Sequence, residues 1–229
     1  MTHLANALYI NEESSSLNLA AIPLSPSQSA IAEQLLTDMR QCGVALLCGG
    51  RGTGKTTILS WLTAQTKGRF VALRQIASAR SRFVASQSAL EGVQRTLAEG
   101  GIVLIDDVDV LMRPASASRY SSAPALARAL RKAKARGNPA LVGSATCAAF
   151  KPLRAFQIRE LQPLRVRDLE WLCRAYLGES SRRIEFRKIL RHIPQLNGYQ
   201  LRDACLWLGL RDAEPDTEAM LEYFRARGM

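Results

Sequence analysis

One stretch restricts the fold more than any other: Gly49–Thr57, which reads Gly-Gly-Arg-Gly-Thr-Gly-Lys-Thr-Thr. It satisfies G-x-x-x-x-G-K-[ST], with Gly49, Gly54, Lys55 and Thr56 in the fixed places. Glycines at Gly50, Gly52 and Gly54 permit positive φ, so several backbone N–H groups can turn toward one anion. Arg51, Thr53 and Thr57 complete the cradle. Lys55 is expected to reach the β- and γ-phosphates of ATP, and the Thr56 hydroxyl to ligate Mg²⁺. The flanks suit that chemistry. Val44–Cys48 is a short apolar run that reads as a buried strand. Thr56–Thr63 reads as a helix whose N-terminal dipole favours bound phosphate. A glycine-rich turn that merely happened to carry a lysine would not require that strand–loop–helix setting.

A second signal lies 51 positions after Lys55, at Asp106. Gly101–Val110 reads Gly-Ile-Val-Leu-Ile-Asp-Asp-Val-Asp-Val. Four apolar residues lead into two aspartates, the pattern of a buried parallel strand whose C-terminal end presents carboxylates beside the phosphate loop. Asp106 is expected to hold Mg²⁺, through water or through Thr56. Asp107 stands where a carboxylate orients or deprotonates an attacking water. Asp109 would face away from Asp106 if the strand continued, and it receives no role.

The remaining chain supplies a frame. Residues 1–25 read as an extended lead-in, and Ser27–Arg40 as a helix capped by Ser25 or Ser27. Arg69–Leu73 reads as a second strand and Gln87–Ala98 as a helix. Ala125–Arg136 is a strongly basic helix, suited equally to phosphates and to solvent. Ala140–Thr146 reads as a strand ending in hydroxyls, and Gln157–Leu161 as the last strand. After Pro163 the pattern becomes helical, over Val166–Leu177, Ile184–His192, Gly198–Leu210 and Met220–Arg227.

This order resembles an AAA+ ATPase module across about residues 25–210. The resemblance implies a P-loop three-layer αβα core with a parallel sheet over 26–163 and a small all-helical lid over 164–229. It implies Mg·ATP bound between them and at a subunit interface. The family's sensor 1 position matches Thr146 best, with Ser144 second. Its sensor 2 helix start is matched by Asn197-Gly-Tyr-Gln-Leu-Arg-Asp-Ala204, which assigns Arg202 to the γ-phosphate. An arginine finger for the neighbouring subunit is expected before the last strand, at Arg154 ahead of Arg159. Asp107 stands where many relatives carry glutamate, and its shorter side chain is consistent with slow hydrolysis. With its end soon after the lid, the chain is expected to lack the DNA-reading domain that many initiators carry.

Composition narrows the class further. Net charge is +11, mostly from arginine, which suits a polyanionic partner. No apolar run approaches the ~18 residues of a membrane span, and no secretory leader is apparent. Five cysteines without C-x-x-C spacing suit a reducing, cytoplasmic setting, with the thiols acting as small apolar groups. Three outputs are expected to compete. The first is a nucleic-acid-associated switch or loader in a homo- or hetero-oligomer with a protein partner. The second is a protein-remodelling oligomer using Phe83 as a pore-loop residue. The third is an assembly scaffold that binds ATP without hydrolysing it.

Overall fold

The computed structural model describes residues 23–74, 82–112, 122–144, 147–211 and 214–229. They form two compact units. One holds residues 31–50 and 55–161; the other holds 23–30, 51–54 and 162–229.

The first unit is built on five parallel strands: β1 (Val44–Gly49), β2 (Arg69–Ala72), β3 (Val103–Asp106), β4 (Ala140–Ser144) and β5 (Gln157–Leu161). Their order is β2-β3-β4-β1-β5. The apolar runs are continuous because the sheet is covered on both faces. Val44, Leu46 and Cys48 alternate with Ala45 and Leu47, and all five are fully buried. The first set packs with α3 (Arg82–Ala98) and α5 (Ala123–Ala135), around Val93, Leu97, Leu126, Leu130 and Phe150. On the opposite face α2 (Lys55–Thr66) lies against β1, β3 and β4. There Leu59 Cδ1 comes so near Gly143 that a Cβ would sit 2.8 Å from it. This is the three-layer αβα arrangement that the family resemblance implies. α1 (Pro26–Cys42) is tied to β5 by Arg159, which donates from Nε and Nη2 to the two oxygens of Asp38 at 2.7 and 2.9 Å.

One open question closes here and one expectation changes. The run Gly101–Val110 is strand only to Asp106; the chain then turns into a short helix, α4 (Asp109–Met112). Asp109 therefore opens a helix instead of extending the strand. The cysteines are not all thiols either. β1 and β4 pair with Cys48 opposite Ser144, which brings Cys147 within a Cα–Cα distance of 5.2 Å of Cys48, and the two form a disulfide.

The second unit is helical: α6 (Val166–Leu177), α7 (Phe186–His192), α8 (Gly198–Gly209) and α9 (Thr217–Ala226). Their apolar faces share a core that includes Leu169, Leu172, Phe186, Leu201, Leu208 and Phe224. Cys173 and Cys205 are buried in it as free thiols with sulfurs 3.8 Å apart. Contact with Cys173 and burial push the Cys205 thiol far up, so it stays neutral. Among the described residues no helix is long and apolar enough to cross a membrane.

Candidate active site

The base of the phosphate loop and the aspartates meet because β4 separates β1 from β3 by a single strand. Parallel strands present their C-terminal ends on one edge of the sheet, so the loop after β1 and the carboxylates after β3 face the same region. Thr56 Oγ1 donates to Asp106 Oδ2 at 2.6 Å across 50 positions of sequence. The Asp106 side chain is buried, and its other oxygen accepts the Asp107 N–H at 2.8 Å. A hydroxyl and a carboxylate side by side form a hard-oxygen donor pair suited to Mg²⁺, which keeps several of its waters.

Lys55 folds back on the loop, and its Nζ donates to Gly49 O at 3.0 Å and Gly50 O at 2.7 Å. Burial lowers its pKa, against the opposing charges of Asp106, Asp109 and Asp107. Asp107 has φ 56°, a left-handed conformation that a non-glycine residue rarely adopts. It swings the chain out of the strand and leaves the carboxylate half-buried. Burial and the charge of Asp106 raise the Asp107 pKa, and Arg74 opposes them. Arg74 Nε lies 3.4 Å from Asp107 Oδ2. The sequence reading missed Arg74. Its only signal was its place just past β2, and that matters only once β2 is known to neighbour β3.

The loop tip, Arg51–Gly54, belongs to the second unit. Gly52 has φ 78° and Gly54 φ 101°. A Cβ on Gly52 would lie 2.6 Å from the Asn197 Cβ, and one on Gly54 would overlap the Gln28 amide. Glycine is therefore required at both for two reasons, backbone conformation and close approach. Gln28 is a second residue that sequence reasoning missed. Ser25 and Gln28 form a reciprocal cap at the start of α1: Ser25 N–H donates to Oε1 at 2.9 Å, and Gln28 N–H faces Ser25 Oγ at 3.4 Å. The remaining Gln28 amide then donates from Nε2 to Thr53 O at 2.9 Å. Thr53 is buried, whereas Arg51 is exposed. The S-x-x-Q spacing was the available signal, but it announces only a helix start.

The other candidates are scattered. Thr146 lies outside the described residues, as do Ala145 and the stretch before Arg82; Ser144 closes β4. Arg154 is exposed in the turn before β5. Arg159 is committed to Asp38, which leaves Arg154 as the freer of the two. Arg202 sits on α8, whose N-cap is Asn197. Its guanidinium donates to Asp203 Oδ1 from Nη2 at 3.2 Å and lies 4.6 Å from the centre of the Tyr199 ring.

Residues 45–162, just over half of the chain, match the family described as AAA, ATPase family associated with various cellular activities. No curated protein matches the sequence. Among solved structures the chain is similar to domain III of the replication initiation protein DnaA from Thermotoga maritima. That similarity has a TM-score of 0.61 at 15% identity, covering 91% of this chain and 95% of that one. A DNA replication initiation factor gives a TM-score of 0.56 at 13% identity over 84% of this chain and 64% of its own. PCH-2 of C. elegans gives 0.58 at 14% identity over 91% and 70% respectively. At such identities the likeness is one of fold.

Proposed function

We propose, for a chain that belongs to the AAA family of ATPases, that it binds Mg·ATP and hydrolyses the γ-phosphate as a conformational switch. The single observation that supports this best is the 2.6 Å contact of Thr56 with Asp106. It unites the two motifs at one point, next to a lysine and a second carboxylate.

The phosphates take the backbone N–H groups of Gly49–Thr57, and Lys55 exchanges its loop carbonyls for phosphate oxygens. Thr56 and Asp106 would hold Mg²⁺, which when bound neutralises charge on the β- and γ-oxygens. Asp107 orients the attacking water for in-line displacement. Arg74 offsets the negative charge that Asp106 and Asp107 would otherwise concentrate there. Thr146 and Arg202 act as sensors of the γ-phosphate. Arg154 serves a neighbouring subunit, where a cation stabilises charge developing on the transferring phosphoryl group. The output we favour is an oligomeric, nucleic-acid-associated assembly with a protein partner. The net charge of +11 supports it.

The test is ATP turnover by the full chain with Mg²⁺, followed together with its mass in solution. Lys55→Ala is expected to abolish nucleotide binding. Asp107→Asn is expected to retain binding and lose turnover by 10²-fold or more, the range for a positioned acid–base group (about 10²–10⁴). ATP binding with no turnover under any partner condition would leave only an assembly scaffold and defeat the hydrolytic reading.

A further inference from the structure

The excess positive charge is not spread over the molecule. Ten of the 31 Lys and Arg residues, and none of the 20 Asp and Glu, lie between Val110 and Arg159. That segment accounts for nearly all of the net +11, and the other 179 residues are almost balanced. Half of the ten cations fall within nine positions, at Arg128, Arg131, Lys132, Lys134 and Arg136.

The structure gives this cluster a form. Leu126, Ala127, Leu130 and Ala133 of α5 are buried in the core, and all five cations are exposed. Arg128, Lys132 and Arg136 are spaced i, i+4, i+8. They form one row, rising about 6 Å per step, along a groove of about 280 Å³ between α3 and α5. Among the described residues no ion pair reaches any of the three. Like charges at i, i+4 destabilise a helix, and a face that served only solubility would interleave both signs. A bound polyanion relieves that repulsion.

We propose that the α3–α5 groove binds the phosphodiester backbone of a double-stranded nucleic acid, with Arg128, Lys132 and Arg136 each facing a phosphate. The lining favours this occupant over two others. Between the cations lie Ala98, Ala125, Ala129 and Ala133 with Leu97 and the amide of Gln94, and no aromatic ring. A single strand would want a ring on which to stack its bases. A protein partner would want a deep apolar anchor. What the groove offers is charge, including two guanidinium forks matched to phosphate oxygens. Binding is therefore independent of sequence. The proposal rests on the nucleic-acid-associated reading above and names the surface that serves it.

The test is fluorescence anisotropy of the full chain with a labelled 25-base-pair DNA duplex (length chosen at about two helical turns) over 50–200 mM salt. It compares R128Q/K132Q/R136Q with a charge-matched control, R167Q/R187Q/R191Q, whose arginines are exposed on the helical unit. Glutamine keeps helix propensity, so circular dichroism should not change. Losing three phosphate contacts should flatten the log–log salt slope by about 2.7. The wild type and the control should then lose about 40-fold more affinity across that range than the groove variant. Equal slopes for both triple variants would overturn the groove and leave nucleic-acid binding standing. No duplex binding by the wild type at 50 mM salt would defeat the nucleic-acid reading itself. A labelled acidic peptide bound as tightly as the duplex, and lost equally in the groove variant, would replace the nucleic acid with an acidic protein surface.

Discussion

Gln28 is where the start of α1 and the tip of the phosphate loop share one side chain, and Gln28→Met isolates that role. Methionine keeps the length and volume, so packing changes little. What disappears is the acceptor for Ser25 N–H and the donor to Thr53 O, both at 2.9 Å and both buried. Each lost bond to a buried backbone group costs about 1–2 kcal/mol, for a total of about 2–4 kcal/mol. For a chain of this size that lowers Tm by about 4–16 °C. Thr53 also lies inside the phosphate loop, so a loosened Thr53 peptide should weaken ATP binding by about tenfold, worth about 1.4 kcal/mol. Ser25→Ala is the control. It removes the hydroxyl half of the cap, for about 0.5–2 kcal/mol, and leaves the Gln28–Thr53 bond in place. Calorimetric melting and nucleotide titration on both variants decide the matter. Both should melt earlier, and only Gln28→Met should lose affinity for ATP. Equal loss of affinity in the two, or a Gln28→Met shift below about 1 °C, would refute the argument.

Other outcomes follow from single contacts. Arg159→Met strands the mostly buried Asp38 carboxylate and should cost about 1.5–3 kcal/mol in urea unfolding; adding Asp38→Leu should recover most of it. Asp168 accepts the Ser27 N–H at 3.0 Å and the Arg165 N–H at 3.1 Å. Burial pushes its carboxyl up, but those hydrogen bonds prevail and hold its pKa below the usual range. Its contribution is therefore present above the unfolded-state value of about 3.9 and fades as pH falls through the lower folded-state value. Asp168→Asn should melt earlier than wild type at pH 7 and converge with it below about pH 4. The Cys48–Cys147 disulfide joins positions 99 residues apart, so reduction should lower stability by about 4–5 kcal/mol on chain-entropy grounds. Thiol titration of the unfolded, unreduced chain should find three reactive cysteines of the five.

The sequence by itself determined what is local. Gly49–Thr57 dictated a turn that aims N–H groups at phosphate, because positive φ and the absence of Cβ are properties of the residues themselves. Hydrophobic spacing marked α6 at the bounds the structure gives it, since its period of 3.6 is written in a single stretch. It placed the strand end at the aspartates but left open whether the strand ran on past them, because aspartate can end a strand or open a helix, and the left-handed turn at Asp107 is not encoded in hydropathy. Only the tertiary structure decided which distant groups meet. The five strands form one sheet in the order β2-β3-β4-β1-β5, and hydropathy specified no pairing order. That order, not any motif, brings Arg74 to Asp107 and Cys147 to Cys48. Within the second unit, packing likewise sets Gln28 on Thr53 and Asn197 on Gly52. A motif fixes chemistry through its own backbone, whereas such partnerships come from how the elements pack, and no single stretch carries that information.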